Sequence, residues 1–237
     1  MSDTVRRFYR LASVAEGEGG WHVTLDDRPV RTPGRALQVV PTRTLAEAMA
    51  EEWTGQGDTV DIARMHITRL ANVAIDRTPD TRNALAGEVA KYCETDLTCH
   101  LDGNASDLRA RQDEAWRPVR DWAGQALGVM LVPVEGILAG VQPPASLEAA
   151  QAHAAGLDDF RLTGLAYGCG LYGSAVLALA VEQGRLPALE AFEASILDAA
   201  YQAERWGRDA EAEAAEAERR LEAAALGAWF EGLGAPS

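Results

Sequence analysis

The chain has 237 residues, of which 47% are hydrophobic, enough to bury a core in one large domain or two smaller ones. Acidic residues outnumber basic ones by 36 to 22, so the formal net charge is -14 at pH 7. Because binding to phosphates depends on Lys and Arg, this charge makes nucleic acid and anionic membrane surfaces poor partners and favours a basic protein surface.

Short β-like pieces dominate the N-terminal part of the chain. Trp21, Val23 and Leu25 alternate with polar residues between a Gly-Gly pair and an Asp-Asp pair, a pattern typical of one strand of a hairpin. Residues 28–32 and 37–40 are two further short pieces, and each ends before a proline. The pattern predicts three or four short strands.

One helix is predicted to follow these strands and to pack on their sheet. Thr44 and Glu47 have the spacing of a capping box, and Leu45, Met49 and Trp53 then lie on one helical face. The glycines of the following TGQG sequence are expected to end this helix.

Helical spacing of apolar residues continues after residue 61. Two helices are predicted on either side of Pro79, and a longer one over 107–127. Pro118 lies inside the longer helix and is expected to kink or divide it, because proline removes a backbone hydrogen bond.

The central stretch 162–181 contains no charged residue. About 20 apolar residues suffice to cross a membrane, but four glycines, several polar side chains and acidic flanks argue against insertion. A helix that is apolar or small on all sides is more often the buried centre of a helical domain. We therefore expect one buried helix, in which Gly164 and Gly168 let neighbouring helices approach; a membrane helix pair is the alternative interpretation of these glycines.

The rest of the C-terminal part is also predicted to be helical. Ser146 has the position of a helix cap, and apolar residues from 189 to 201 form an amphipathic face that ends at Trp206-Gly207. Residues 208–230 are rich in Ala, Glu and Arg, and their acids are concentrated in the first half, as the helix dipole favours. These acids form either a solvated helix face or a patch for a basic partner.

Together these elements predict an α+β architecture. Residues 1–62 form a small N-terminal domain of antiparallel strands with one packed helix, and residues 63–237 form a larger all-α domain around the buried Gly-rich apolar helix. Residues 129–141 begin with a β-like apolar run, 129–134, and are candidates to rejoin the N-terminal sheet.

Motifs of catalysis and cofactor binding are missing: the chain has no G-x-G-x-x-G after a strand, no Walker A sequence, no G-x-S-x-G and no H-E-x-x-H. Cys169 lies in the apolar stretch, where a buried cysteine acts as a small hydrophobe. Cys93, Cys99 and His100 match no structural zinc pattern. Three single cysteines without a C-x-x-C pair indicate free thiols in a reducing compartment. We therefore predict no catalytic, metal or cofactor residue.

Several long blocks resemble one protein family. GGWHVTLDDRPVRTPGRALQVVPTRTLAEAMAEEW resembles the N-terminal signature of the family of assembly chaperones for the alpha subunit of F-type ATP synthase. TRLANVAIDR, EVAKYCETDLTCH, RQDEAWRPVRDW, GSAVLALAV and QAERWGRD resemble further blocks of that family in the same order. The sequence departs from the family pattern at TCH and DAAYQAE, so the transfer of residue roles is weakest near Cys99 and Ala199.

The resemblance implies a molecular chaperone that binds the unassembled alpha subunit and promotes its assembly with the beta subunit, without a cofactor. In the QAERWGRD block, Gln202, Glu204, Trp206 and Asp209 are the candidate client-binding residues. The structural alternatives are that Trp206 fills the core and that Glu204 pairs with Arg208.

A monomer is expected, with no nucleic-acid partner and no membrane insertion. The N-terminus has an Arg-Arg pair but no apolar stretch like that of a secretory signal, which favours a bacterial cytoplasm, with the mitochondrial matrix as the alternative. The competing class of function is a small soluble enzyme with an unrecognised thiol or carboxylate site.

Overall fold

The structure is a computed structural model that describes residues 5–104, 106–136, 140–207 and 209–236. Its fold confirms the predicted α+β class, because a small antiparallel sheet near the N-terminus precedes a run of helices. The strands are Val5–Arg6 (β1), Ala12–Gly17 (β2), Gly20–Leu25 (β3), Arg28–Pro29 (β4), Val39–Val40 (β5), Thr59–Val60 (β6), His100–Leu101 (β7) and Val134–Glu135 (β8). The helices are Arg43–Thr54 (α1), His66–Asp76 (α2), Thr78–Glu94 (α3), Asp107–Leu127 (α4), Pro144–Gly156 (α5), Asp159–Tyr172 (α6), Ala175–Glu182 (α7), Ala188–Ser195 (α8), Leu197–Trp206 (α9) and Ala210–Leu233 (α10).

The N-terminal sheet is centred on β3, the strand that the alternating pattern predicted. Strand β3 pairs antiparallel with β2, β4 and β5, and Val14 lies opposite Val23 in the register. Gly20 turns the chain from β2 into β3 with φ +146, and a Cβ atom there would lie 2.4 Å from the carbonyl oxygen of Val40. Glycine is therefore required at this position.

Helix α1 packs on this sheet and buries the predicted face of Leu45, Met49 and Trp53. The predicted capping box of Thr44 and Glu47 is wrong. The N-cap is Thr42, whose hydroxyl accepts from the Leu45 amide at 3.2 Å, and Glu47 instead forms an exposed ion pair at 2.7 Å with the arginine four residues before it. The extended backbone of Thr42, with φ -126 and ψ 151, is the geometry that an N-cap requires.

The central apolar stretch is buried as predicted, but the single helix expected there is wrong. Gly173 ends α6 in the left-handed conformation, with φ 64. Ser174 then caps α7, because its hydroxyl accepts from the Leu177 amide at 3.0 Å. A glycine followed by an N-cap serine divides the apolar stretch into two helices although no charged residue interrupts it.

Two glycines of α6 allow α10 to pack closely. A Cβ atom on Gly164 would lie 2.7 Å from the indole nitrogen of Trp229, and one on Gly168 would lie 3.2 Å from Leu226. Both contacts confirm the expected close approach of a neighbouring helix. In the described part of the chain, no helix is both long and apolar enough to span a bilayer.

Helix α4 runs over the predicted range without interruption, so Pro118 does not divide it. Both sides of the proline are anchored to neighbouring elements. The Trp116 indole donates to the carbonyl oxygen of Ala194 at 2.9 Å, and the Arg120 guanidinium donates to the carbonyl oxygen of Thr98. These contacts hold α4 in place where proline removes an internal hydrogen bond.

Two further expectations around the α4–α5 connection are wrong. Strand β8 does not join the N-terminal sheet, since Val134 pairs in parallel with His100 of β7. Ser146 is not a cap: α5 begins at Pro144, and the Ser146 hydroxyl accepts from the Met130 amide at 3.0 Å and donates to the Met130 carbonyl at 2.7 Å. A strand of only two paired residues carries no local signal of its partner strand, which explains the wrong prediction for β8.

A single buried cluster extends through both parts of the chain. It includes Val23 and Leu45 near the N-terminus and Leu165 and Leu226 of the helices. Helix α10 packs directly on α1, so residues on both sides of position 62 share this cluster. The domain boundary predicted at residue 62 stays a prediction.

Candidate functional site

The four residues singled out in the QAERWGRD block lie at the junction of α9 and α10. Gln202, Glu204 and Trp206 belong to the last two turns of α9, and Asp209 is the N-cap residue of α10. Gly207 ends α9 with φ 87 and donates its amide to the carbonyl oxygen of Ala203 at 3.0 Å, as expected of a C-cap.

Three of the four residues line one cleft between α9 and the first turns of α10, which we call the Trp206 cleft. The cleft has a volume of about 350 Å³. Its lining residues are Ala199, Gln202, Ala203, Trp206, Gly207, Asp209, Ala212, Glu213 and Glu216.

Trp206 is 74% exposed, so the alternative in which it fills the core is wrong. An indole held in solvent beside small alanine side chains is an apolar surface that the fold itself does not use. Exposed aromatic side chains of this kind are enriched where proteins bind other proteins.

Acidic side chains form the rim of the Trp206 cleft. Asp209, Glu213 and Glu216 lie on its α10 side, at the end of the helix where the dipole favours negative charge. The Asp209 side chain does not cap its own helix. The cleft thus combines an apolar centre with a negative rim and suits an apolar side chain next to a basic group.

Glu204 is the residue that the structure places away from the cleft. Its carboxylate faces α4, where the Arg111 guanidinium donates to both carboxylate oxygens at 2.9 Å. Arg111 also lies 5.2 Å from the ring centroid of Tyr201. The alternative pairing of Glu204 with Arg208 involves a residue outside the described ranges.

Sequence reasoning named Asp209 but did not connect the other acids of α10 with the QAERWGRD block. Glu213 and Glu216 were assigned to an acidic helix face that is either solvated or a patch for a basic partner, yet they repeat from Asp209 at helical spacing of three to four residues. Ala199, Gln202 and Trp206 repeat at the same spacing on α9. These two helical faces, one before and one after a glycine that ends a helix, were the sequence signal from which the cleft could have been predicted.

Comparison with known proteins identifies the family. The sequence profile described as ATP12 chaperone protein matches residues 6–124. The crystal structure of Atp12 from Paracoccus denitrificans superimposes with a TM-score of 0.87 at 39% identity, covering 96% of this chain and 97% of that one. The chain belongs to the ATP12 chaperone family. Its class, a chaperone of ATP synthase assembly, is the class that the sequence predicted.

Two further relatives of this ATP12 family member come from a bacterium and from a mitochondrion. The crystal structure of Atu1473, a putative chaperone from Agrobacterium tumefaciens, gives a TM-score of 0.89 at 35% identity over 96% of this chain and 86% of that one. The mitochondrial protein atp12 of Schizosaccharomyces pombe is 24% identical over an alignment of 214 residues, which covers 85% of this chain and 74% of that protein.

The thiols of this ATP12 family member are poorly placed for nucleophilic chemistry. Cys93, Cys99 and Cys169 are all free and buried. Burial, with a smaller contribution from the Asp96 carboxylate, raises the pKa of the Cys99 thiol to about 12, and burial also raises the pKa of Cys93 and Cys169. Reactive thiols need the opposite shift. Among the residues that the structure describes, no three His, Cys, Asp or Glu side chains are grouped as metal ligands.

Proposed function

We propose that this protein binds the unassembled alpha subunit of F-type ATP synthase and holds it until the beta subunit replaces the chaperone. The observation that carries the proposal is the exposed indole of Trp206 in a cleft with an acidic rim, built from the block that resembles a family motif. An apolar centre supplies affinity, while a charged rim sets the register and the rate of association. Release then follows from competition between the two partners for the same client.

In this proposal the protein acts as a monomer and only binds its client. It catalyses no reaction and binds no nucleic acid. Its formal charge of -14 supports a basic client surface. Structural relatives from Paracoccus and Agrobacterium support a bacterial cytoplasm as its location rather than a mitochondrial matrix.

Co-purification tests the client, and one substitution tests the cleft. The tagged chaperone should recover the endogenous alpha subunit, with greater yield from cells that lack the beta subunit. Trp206→Ala should weaken capture of purified alpha subunit at least tenfold, because truncating an exposed aromatic anchor removes most of the affinity at such a site. Binding is measured by titration with the alpha subunit from Paracoccus denitrificans.

Leu221→Ala is the matched control for Trp206→Ala. Leu221 is an exposed apolar residue of α10 that does not line the Trp206 cleft, so its loss should leave capture within about twofold. Equal capture by wild type and Trp206→Ala would remove the cleft from the client interface. Failure of the wild type to recover any alpha subunit would contradict the proposed client.

A further inference from the structure

A second cleft lies on the N-terminal sheet, distant in sequence from the QAERWGRD block. It has a volume of about 520 Å³, and we call it the Arg28 cleft. Its lining residues are Phe8, Tyr9, Leu25, Asp26, Arg28, Pro29, Val30, Arg31 and Trp53.

Three aromatic rings lead from solvent into the core on one side of the Arg28 cleft. The Phe8 ring meets the Tyr9 ring edge-on with centroids 5.4 Å apart, and Tyr9 meets Trp53 in the same way at 5.6 Å. Tyr9 and Trp53 are buried, whereas Phe8 is 67% exposed. The outermost ring of the series therefore offers a free apolar face at the mouth of the cleft.

Arg28 and Arg31, the two cations of the Arg28 cleft, have no carboxylate within ion-pair distance among the residues that the structure describes. Neither Arg28 nor Arg31 forms an ion pair within the described ranges, and the Arg31 guanidinium donates only to the carbonyl oxygen of Arg35, at 2.9 Å. By contrast, arginines of the helical part such as Arg82 and Arg111 each pair with a carboxylate. The two guanidinium groups at this cleft thus remain available to an anionic group.

Among the described residues that line the Arg28 cleft, the acid is Asp26, and the backbone already binds its carboxylate. The Asp26 carboxylate accepts from the amides of Arg10 and Leu11 at 3.0 to 3.1 Å. These two hydrogen bonds, with smaller contributions from the positive charges of Arg10 and Arg28, lower the pKa of Asp26, so it stays ionised and bound to the backbone. Residues 1–43 contain seven arginines and five acids, a small positive excess in a chain whose formal net charge is -14.

We infer that the Arg28 cleft binds a second segment of the same client, one that carries a bulky apolar side chain next to a carboxylate. The apolar side chain packs on Phe8, and the carboxylate pairs with Arg28 and Arg31, whose planar guanidinium groups suit it. This inference depends on the proposed function. Because the Trp206 cleft has an acidic rim and the Arg28 cleft a basic one, the two clefts select different client segments and so fix the client's orientation.

A charge-reversal pair tests the inference in the full-length protein. Arg28→Glu with Arg31→Glu should weaken capture of the Paracoccus denitrificans alpha subunit at least tenfold. The matched control is Lys91→Glu with Arg185→Glu, which changes the net charge equally at two exposed cations outside both clefts. The control should bind within about twofold of wild type, and thermal unfolding should show that both double variants remain folded.

Cross-linking identifies the occupant. With p-benzoylphenylalanine in place of Phe8, illumination should link the chaperone to a segment of the alpha subunit that contains Asp or Glu beside an apolar residue. Cross-links only to the acidic first half of α10 in a second copy of this chain would overturn the inference, since that segment is also acidic and apolar.

The results separate this inference from the proposal on which it depends. If Trp206→Ala loses capture while the Arg28 and Arg31 double variant binds like its control, the Arg28 cleft is not a client site and the proposed function stands. If the wild type binds no alpha subunit, both fail. Loss of capture in the double variant but not in its control supports the second site.

Discussion

Glu204 and Trp206 lie two positions apart on α9 and therefore face in different directions. Two residues correspond to about 200° of rotation around a helix, so side chains at this spacing project from nearly opposite faces. Trp206 lies in the cleft with α10, while Glu204 pairs with Arg111 of α4. A client that contacts both residues must cover the tip of α9 rather than enter the Trp206 cleft alone.

Charge reversal separates a client-binding role of Glu204 from a structural one. We propose that Glu204, a candidate client-binding residue of the QAERWGRD block, contacts a basic client group, so Glu204→Lys should weaken capture of the alpha subunit at least tenfold. The thermal midpoint should stay within a few degrees of wild type, because Glu204 and Arg111 are each about half exposed and exposed ion pairs contribute little to stability. Titration with the alpha subunit and thermal unfolding are measured on the same samples.

The reciprocal variant provides the control for Glu204→Lys. Combining it with Arg111→Glu restores an opposite-charge pair between α9 and α4 but leaves a lysine at the position where we propose that an acid contacts the client. The double variant should therefore regain any lost stability without regaining capture. Recovery of capture would assign Glu204 to positioning α9 instead.

At the scale of elements, a buried charge cluster joins α5, α6, α7 and the C-terminal turn. The Glu182 carboxylate accepts from Arg161 at 2.8 Å, from His153 at 3.0 Å and from the neighbouring glutamine at 2.7 Å. The Arg161 guanidinium also donates to the carbonyl oxygen of Gly234. Burial raises the pKa of Glu182, but hydrogen bonds from His153, Gln183 and Arg161 lower it by more, so the net pKa lies below the ordinary value.

Removing the Glu182 charge should destabilise the fold in a pH-dependent way. Glu182→Gln leaves Arg161 buried without a carboxylate and should lower the free energy of unfolding by about 3 to 5 kcal/mol at pH 7. A depressed carboxylate pKa stabilises the fold above the unfolded-state value and loses that effect as the pH falls through the folded-state value. Urea unfolding should therefore show the difference between wild type and variant shrinking as the pH falls below the ordinary value of 4.5.

A difference in stability that stays constant from neutral pH to acid would contradict this role of Glu182. The control is Glu231→Gln, which removes an exposed carboxylate near the C-terminal end of α10. Its stability should change by no more than about 0.5 kcal/mol at either pH.

The elements most predictable from sequence are those with a local signal. Helix α4 has the predicted bounds, and strand β3 contains the residues whose alternation predicted a strand. Both predictions succeed because apolar spacing and turn residues act within a few positions. The division of the apolar stretch at Gly173 and Ser174 had a local signal too, but the uninterrupted hydrophobic pattern concealed it. The pairing of β8 with β7 depends on packing between residues more than thirty positions apart, and no local pattern encodes it.

The candidate site was predictable only in part for the same reason. The QAERWGRD block indicated which residues to consider, but a sequence does not show which face of α9 meets α10. Trp206 was as consistent with a core position as with an exposed one, and only the α9–α10 angle decides between them. The Arg28 cleft combines Phe8, Arg28 and Trp53, which are far apart in sequence.

At the scale of the whole molecule, the C-terminal helix contacts both of the parts that we predicted to divide at residue 62. Gly232 of α10 lies against Leu45 of α1, where an added Cβ atom would be 3.1 Å from the Leu45 Cα atom. The Thr42 hydroxyl donates to the carbonyl oxygen of Gly232. Because the buried cluster runs through this contact, we expect the N-terminal sheet and the helices to unfold together.

Gly232→Val tests this coupling, since a β-branched side chain cannot fit against the backbone of α1. In wild type, urea unfolding curves from far-ultraviolet circular dichroism, which reports mainly on helices, and from hydrogen exchange of β3 amides should coincide. In Gly232→Val the β3 amides should lose protection at lower urea than the helices unfold. Ala224→Val places the same side chain at an exposed position of α10 and should leave the two curves together. If Gly232→Val also unfolds in one step, the stability of the N-terminal part does not depend on the docking of α10. The two parts predicted on either side of residue 62 would then not be separate unfolding units.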